Sequence, residues 1–261
     1  MESLTHADMQ QPTMPAWTHA TMQTIVWNSQ KGGSGKSGLC SCCGVEAERA
    51  GDGPVYLIDA DHQGTLSTWH QIRQAERPHR VEIEIPDLRR ITWRTEDERT
   101  AEAQSLRDGL GTGLRQVAQR DAALCFIDTP PTDNENIAVT FEFADLVLVP
   151  VRPTPSDLWA VKATVDLLKQ VGTPFLFVVN QANLRANITA QAIATLSHYG
   201  PVAETIIAFR TPYAAAMTDG HTAPELARTG PEAKEITGLW RNIKACLHAS
   251  MPATKRTAAH A

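Results

Sequence analysis

The 261-residue chain lacks the features that mark membrane-spanning, secreted and nucleic-acid-coating proteins. Its apolar runs are shorter than the roughly 20 residues of a spanning helix, and residues 1–22 lack the charged-then-apolar layout of a secretion signal. Acidic residues outnumber basic ones, so the formal net charge is −5 and any contact with nucleic acid requires a local basic patch. We therefore expect a cytoplasmic protein without stable membrane association.

Cysteine is scarce, and its distribution argues against a disulfide framework. The count is five, an odd number, and three of them are crowded at Cys40, Cys42 and Cys43. A metal site built on this trio would need further ligands at zinc spacing, and no second Cys/His cluster supplies them. Because the trio falls on a predicted helix, small buried side chains are favoured over metal ligands.

What the sequence does contain is a glycine-rich loop between a predicted strand and a predicted helix. Residues 30–37 read Gln-Lys-Gly-Gly-Ser-Gly-Lys-Ser and follow an apolar run at 24–27. The glycines let successive backbone N–H groups turn inward on an anion, and the helix start adds the positive end of its dipole. An ordinary glycine-rich turn is the alternative, but the lysine and serine that end the loop favour phosphate binding.

The order of residues in this loop predicts their roles toward a nucleoside triphosphate. Lys36 would reach the β- and γ-phosphates, and the Ser37 hydroxyl would ligate Mg²⁺. Gln30 replaces the first glycine of the usual pattern. The residues predicted to bind the nucleotide are Lys31, Gly32, Gly33, Ser34, Gly35, Lys36, Ser37 and Gly38.

Strand-like apolar segments alternate with helix-length segments along the chain. This alternation predicts an α/β fold with a doubly wound, mostly parallel sheet and helices on both faces. We expect one domain over residues 23–248, a flexible leader at 1–22 and a flexible tail at 249–261. The predicted strands are 24–27, 54–59, 81–85, 122–128, 146–150, 175–179 and 202–209, and the predicted helices are 36–50, 65–76, 105–119, 156–170 and 231–248.

Aspartates end two of these predicted strands, at the edge of a parallel sheet where ligands bind. Asp59 opens the segment Asp-Ala-Asp-His-Gln-Gly, which also contains Asp61, and Asp128 opens Asp-Thr-Pro-Pro. A helix N-cap is an alternative role for Asp61, and a turn after a strand is an alternative for Asp128.

The loop and the two acidic segments together resemble the ParA/MinD superfamily of deviant Walker A ATPases. The resemblance spans residues 23–247 in motif order and has the overall pattern of the small plasmid-type ParA proteins. It implies a fold of the P-loop NTPase type and a Mg²⁺-dependent ATPase that converts ATP to ADP and phosphate. His62 stands where the family usually has proline.

The resemblance also implies roles for single residues. Lys31 would cross a dimer interface to the partner's nucleotide, which gives an ATP-sandwich homodimer, and Asp61 would position the attacking water. Asn180 corresponds to the asparagine that contacts adenine, although a turn-forming asparagine is an alternative. The catalytic residues would thus be Lys31, Lys36 and Asp61, and the metal would be held by Ser37, Asp59 and Asp128.

Three functions share this scaffold: DNA partition, membrane-surface positioning as in MinD, and electron transfer as in the nitrogenase iron protein. The cysteine positions disfavour electron transfer. The apolar stripe from Ile236 to Leu247 fits a lipid-facing helix, but a core-packing helix gives the same stripe and is favoured.

The resulting prediction is a ParA-like ATPase whose ATP-bound dimer binds DNA non-specifically, associates with the nucleoid and drives plasmid or chromosome partition. A ParB-like centromere-binding partner would stimulate hydrolysis. The alternatives are a MinD-like ATPase and a positioning ATPase for another cargo. Candidate DNA contacts, each of which could equally be a solvated surface charge, are Arg228, Lys234, Arg241, Lys244, Lys255 and Arg256.

Overall fold

The computed structural model describes residues 22–88, 95–132 and 136–250. Six strands of these residues form one sheet in which every neighbouring pair is parallel, with the order β3-β2-β4-β1-β5-β6. The strands are β1 (Gln23–Trp27), β2 (Val55–Asp59), β3 (His79–Val81), β4 (Leu124–Asp128), β5 (Leu146–Val151) and β6 (Phe175–Val179). The predicted α/β fold with a parallel sheet is confirmed.

Helices cover both faces of the sheet. Successive residues of a strand point to opposite faces, so Val26 of β1 packs in one apolar cluster and its neighbours Ile25 and Trp27 pack in the other. Because both faces are covered, a central strand such as β5 is apolar and buried along its whole length. The helices are α1 (Lys36–Arg49), α2 (Thr65–Ile72), α3 (Glu96–Ala118), α4 (Ile137–Phe141), α5 (Pro155–Val171), α6 (Asn187–Tyr199), α7 (Thr211–Thr218), α8 (Ala223–Leu226) and α9 (Pro231–Ser250).

The strand predicted at 202–209 is wrong as a continuous element. This edge segment, residues 202–209, runs beside β6 but makes only two isolated bridges, at Val202 and Ala208. Side chains of α9 take backbone donors of the segment instead: Asn242 Oδ1 accepts from the Thr205 N–H at 3.0 Å, and Glu235 Oε2 accepts from the Ala208 N–H at 3.3 Å. The terminal helix therefore holds the edge segment together with backbone bonds to β6, such as those from the Ala203 N–H to the Phe177 carbonyl oxygen at 2.8 Å and from the Ile207 N–H to the Val179 carbonyl oxygen at 2.9 Å.

Three predicted boundaries also move. Helix α3 starts at Glu96 rather than at 105, because Thr95 and Glu98 form a capping box. Strand β3 occupies 79–81 rather than 81–85, and α2 ends at Ile72 rather than at 76 because Arg73 leaves the helix to bond Glu225. The leader and tail predicted at 1–22 and 249–261 fall almost wholly outside the described residues, and α9 extends to Ser250.

The predicted burial of the three crowded cysteines and the predicted core packing of the terminal helix are confirmed. Cys40, Cys42 and Cys43 are free and buried in the core. In the described part of the chain, His, Cys, Asp and Glu side chains nowhere gather in a group of three or more that could hold a metal ion. The α9 stripe packs against the sheet, and none of the described helices has the length and hydropathy to cross a membrane.

Candidate nucleotide-binding site

A cavity of about 420 Å³ lies at the carboxyl edge of the sheet, beside the loop that connects β1 to α1. One side is lined by the glycine-rich loop and the start of α1. Another part of the lining, here called the distal wall, consists of Ala208, Phe209, Arg210, Tyr213, Ala214 and Met217. Asp61 and Asn180 also line the cavity, so the fold brings together residues that are far apart in the sequence.

The backbone of the loop has the conformation that the glycine pattern predicts. Gly33 and Gly35 have φ angles of +74° and +88°, a region that L side chains rarely adopt. A Cβ atom on Gly35 would lie 2.3 Å from Asn180 Nδ2, so this glycine is also required by close packing. Lys36 is only 7% exposed, and its Nζ lies 3.5 Å from the Ser29 carbonyl oxygen, inside the turn of the loop.

Asp128 and Ser37 meet at the base of the loop. Ser37 Oγ donates a hydrogen bond to Asp128 Oδ2 at 2.5 Å, and Asp128 Oδ1 is buried without a hydrogen-bond partner among the described residues. Burial is the main cause that raises the pKa of Asp128 to about 7, with the Asp59 charge adding to it and Ser37 and Lys36 opposing it. A buried carboxylate with an unused oxygen beside a hydroxyl fits a hard cation such as Mg²⁺.

Asp59 lies beside Asp128, because β2 and β4 pair in register at these two residues. Its carboxylate accepts hydrogen bonds from the backbone N–H groups of Asp61 at 3.1 Å and Ser67 at 2.8 Å. Burial raises the pKa of Asp59, while the Ser67 bonds oppose that rise. Since both oxygens are already engaged, Asp128 offers the freer oxygen for a metal.

The helix-capping alternative for Asp61 is wrong, because Asp59 bonds the first turn of α2. Asp61 is buried, and its Oδ1 accepts from the Gln63 N–H at 2.9 Å. Asp61 lines the cavity, which is the position that a water-orienting carboxylate requires. Its catalytic role stays a prediction.

Lys31 lies outside this cavity. Its side chain is exposed, and the residue lines a small hollow between the loop and α5 together with Asp157 and Ala160. The predicted contact of Lys31 with a partner's nucleotide stays a prediction.

Asn180 anchors the loop in this structure. Its Nδ2 donates to the Ser34 carbonyl oxygen at 2.7 Å and its Oδ1 accepts from the Gln181 N–H at 2.9 Å, while Gln181 Nε2 donates to the Gly33 carbonyl oxygen at 2.9 Å. The loop is therefore tied to the end of β6. The predicted contact of Asn180 with adenine stays a prediction.

Sequence reasoning missed most of the distal wall. Arg210 is the N-cap residue of α7 and Tyr213 lies in its first turn, and the sequence pattern there predicts no role for either. Phe209 is 73% exposed although it is a large apolar residue, which is the property that singles it out once the fold is known. Arg152 was also missed; it packs against Gly33 and is paired with Asp157.

The candidate DNA contacts separate into different groups. Lys244 is paired with Asp52, with an Nζ to Oδ2 distance of 2.9 Å, so it is engaged within the chain. Arg228, Lys234 and Arg241 are exposed. The remaining two, Lys255 and Arg256, lie outside the described residues.

The chain is similar to a protein family and to a curated protein over most of its length. A family model described as ATPase MipZ matches residues 23–189. The maintenance of carboxysome distribution protein A of Halothiobacillus neapolitanus is 27% identical over 221 residues, which cover 81% of this chain and 91% of that protein.

Solved structures share the fold over most of its length. Apo McdA of Cyanothece has a TM-score of 0.64 at 18% identity, covering 85% of this chain and 99% of that chain. A putative plasmid partition protein of Borrelia burgdorferi bound to AMPPNP has a TM-score of 0.65 at 13% identity, covering 86% and 99%. MinD in the MinC:MinD complex of Aquifex aeolicus has a TM-score of 0.64 at 17% identity, covering 85% and 96%. At such identities the likeness concerns the fold alone.

Proposed function

Because the chain belongs to the ATPase MipZ family, within the ParA/MinD superfamily of deviant Walker A ATPases, we propose that it is a positioning ATPase that hydrolyses ATP to ADP and phosphate. The reaction takes place in the cavity between the glycine-rich loop and the distal wall. The observation that carries the proposal is the contact between Ser37 and the buried Asp128 at the base of the loop.

The residues of the chain divide the chemistry among them. The loop N–H groups and Lys36 hold the β- and γ-phosphates, and Asp61 orients the attacking water. Ser37 and Asp128 would hold Mg²⁺, with Asp59 beside them, and the ion would supply positive charge near the phosphates. The two lysines, Lys36 from the same chain and Lys31 from a second copy, supply the remaining positive charge.

A phosphate-release assay tests the enzymatic part of the proposal. The chain should release phosphate from ATP with Mg²⁺ present, and removal of Mg²⁺ with EDTA should abolish the release. Lys36→Ala should be inactive, whereas Lys169→Ala, an exposed lysine in the last turn of α5, should match the wild type. Equal rates for the wild type and Lys36→Ala would reject the proposed site.

The finer part of the proposal is partition of DNA. The ATP-bound dimer binds DNA through exposed basic residues near the C-terminus, and a ParB-like partner on the cargo stimulates hydrolysis and release. Gel-shift titrations with two unrelated DNA sequences test this part: binding with ATP but not with ADP, little sequence preference and a steep loss with salt are expected. Binding that is independent of the nucleotide would contradict it.

A second candidate differs in the cargo. The relative from Halothiobacillus neapolitanus is named for the maintenance of carboxysome distribution, which favours a protein compartment over a plasmid as the object that is positioned. Deletion of the gene in its host separates the two candidates. Partition predicts frequent plasmid loss, whereas compartment positioning predicts clustered compartments with normal plasmid inheritance. Sedimentation of the ATP-bound chain with liposomes, without DNA binding, would favour membrane-surface positioning over both.

A further inference from the structure

Glu235, on α9, lies behind the distal wall of the cavity and collects four hydrogen bonds. Its Oε1 accepts from Arg210 Nε at 3.1 Å and Arg210 Nη2 at 2.9 Å. Its Oε2 accepts from Tyr213 Oη at 2.9 Å and from the Ala208 N–H at 3.3 Å. The Glu235 side chain is only 12% exposed, so these donors replace water around the carboxylate.

All three donor residues line the cavity, and Glu235 itself does not. Ala208 and Arg210 flank Phe209, so Glu235 bonds the residue on each side of this exposed aromatic side chain. The backbone of Phe209 adds one bond of its own, from its N–H to the Ala182 carbonyl oxygen at 3.0 Å. A single carboxylate thus fixes the backbone before the ring, the side chain after it and the first turn of α7.

The side chains of the wall indicate which part of a nucleotide it meets. The phosphates belong to the glycine-rich loop and Lys36, at one side of the cavity. The ribose and base must extend away from them, toward the aromatic and apolar side chains of the distal wall. Resting on the proposed function, we propose that Glu235 is a positioning residue that orders the distal wall and so sets the affinity for the nucleoside part of ATP.

No other described side chain matches these contacts. Glu232 lies farther from Arg210, at 3.9 Å from its Nε, and contributes only its backbone carbonyl oxygen to Tyr213, at 3.4 Å. If Glu235 is removed, Arg210 and Tyr213 lose their shared acceptor and the Ala208 N–H loses its bond. A residue that contacts binding-site residues without touching the ligand typically affects binding by orienting those residues.

The alternative is that Glu235 only stabilises the fold, and the chain offers a matched control for that. Asn242 lies two helical turns along the same helix and also accepts from a backbone N–H of the edge segment, at Thr205. Neither Asn242 nor Thr205 lines the cavity. Asn242→Ala therefore removes one backbone tether of the same segment without touching the distal wall.

The test compares ATP with inorganic tripolyphosphate, which has the phosphates and lacks the nucleoside. Isothermal titration calorimetry with Mg²⁺ present measures both ligands on the wild type, Glu235→Ala, Glu235→Gln and Asn242→Ala. We expect Glu235→Ala to weaken ATP binding about tenfold, the effect of one lost charge-assisted hydrogen bond, and to change tripolyphosphate binding less than about twofold. Glu235→Gln keeps the size of the side chain and should lose less than Glu235→Ala, and Asn242→Ala should preserve the ratio of the two affinities.

Several outcomes would overturn this inference. If Glu235→Ala loses affinity for ATP and for tripolyphosphate equally, Glu235 is a structural residue only. The same conclusion follows if Asn242→Ala changes the ratio of the two affinities as much as Glu235→Ala does. Unchanged ATP affinity in both Glu235 variants would reject it directly. Wild-type affinity for tripolyphosphate as high as for ATP would mean that the distal wall contributes nothing. A wild type that binds neither ligand would instead reject the proposed function, and this inference with it.

Discussion

Among the residues of the site, Asp128 has surroundings that are unfavourable for folding. Its carboxylate is fully buried, one oxygen has no hydrogen-bond partner among the described residues, and Asp59 places a second carboxylate next to it in the sheet. A buried group of this kind costs free energy in the absence of a ligand and is retained for its function. The same property that weakens the fold thus prepares the site for a cation.

Replacing that carboxylate separates stability from function. Asp128→Asn keeps the shape and can still accept from Ser37, and it removes the buried charge. At pH 8, without nucleotide or Mg²⁺, we expect its free energy of unfolding to rise by about 1–2 kcal/mol, while ATP hydrolysis is lost. Urea denaturation and phosphate release measure the two effects. A less stable variant, or one that hydrolyses ATP normally, would contradict this assignment.

The glycines of the loop differ in whether a Cβ atom would fit at their position. Gly35→Ala should destabilise the chain by about 1–3 kcal/mol and abolish ATP binding, because a Cβ atom would strain the positive φ and collide with Asn180. Gly32→Ala is the control, since a Cβ atom there has no neighbour within 4 Å. Thermal denaturation and ATP titration of both variants check the contrast, which fails if the two variants behave alike.

At the level of elements, the start of α3 depends on a local signal. Thr95→Ala removes the acceptor for the Glu98 N–H, so the free energy of unfolding should fall by about 1 kcal/mol. Thr100→Ala is the control on the same helix, because the Thr100 hydroxyl bonds only a backbone carbonyl one turn earlier. Urea denaturation compares the two. Equal losses would show that the capping box does not fix this end of the helix.

Elements with an intrinsic pattern could be predicted from the sequence. Strands β1, β2, β4, β5 and β6 are short apolar runs, and both ends of the glycine-rich loop carry the residues that define it. The beginning of α3 was also readable, since Thr95 and Glu98 have the spacing of a capping box. The sequence prediction nevertheless began this helix at 105, because the residues around Thr95 are charged and show no helical periodicity of apolar residues.

Elements decided by distant partners could not be predicted. The edge segment at 202–209 has the composition of a strand, but Glu235 and Asn242 of α9 take two of its backbone donors. The same fact hides the distal wall of the cavity, because Arg210 and Tyr213 gain their positions from a carboxylate 25 and 22 residues away. The glycine-rich loop could be predicted from the sequence, whereas the distal wall could be identified only once the fold was known.

On the scale of the whole molecule, the two lysines of the loop face different directions. Lys36 is buried within its own loop, and Lys31 is exposed at the carboxyl edge of the sheet. In the proposed function, Lys31 completes the nucleotide site of a second copy that closes over the same edge. The proposed cycle therefore depends on an ATP-dependent homodimer.

The mass of the chain in solution with and without ATP tests this claim most directly. Size-exclusion chromatography with light scattering should give 28.5 kDa with ADP and twice that mass with ATP and Mg²⁺. Lys31→Ala should bind ATP yet keep the mass of one chain, and Lys169→Ala should dimerise like the wild type. A wild type that stays monomeric with saturating ATP, or a Lys31→Ala variant that dimerises as well as the wild type, would contradict the account.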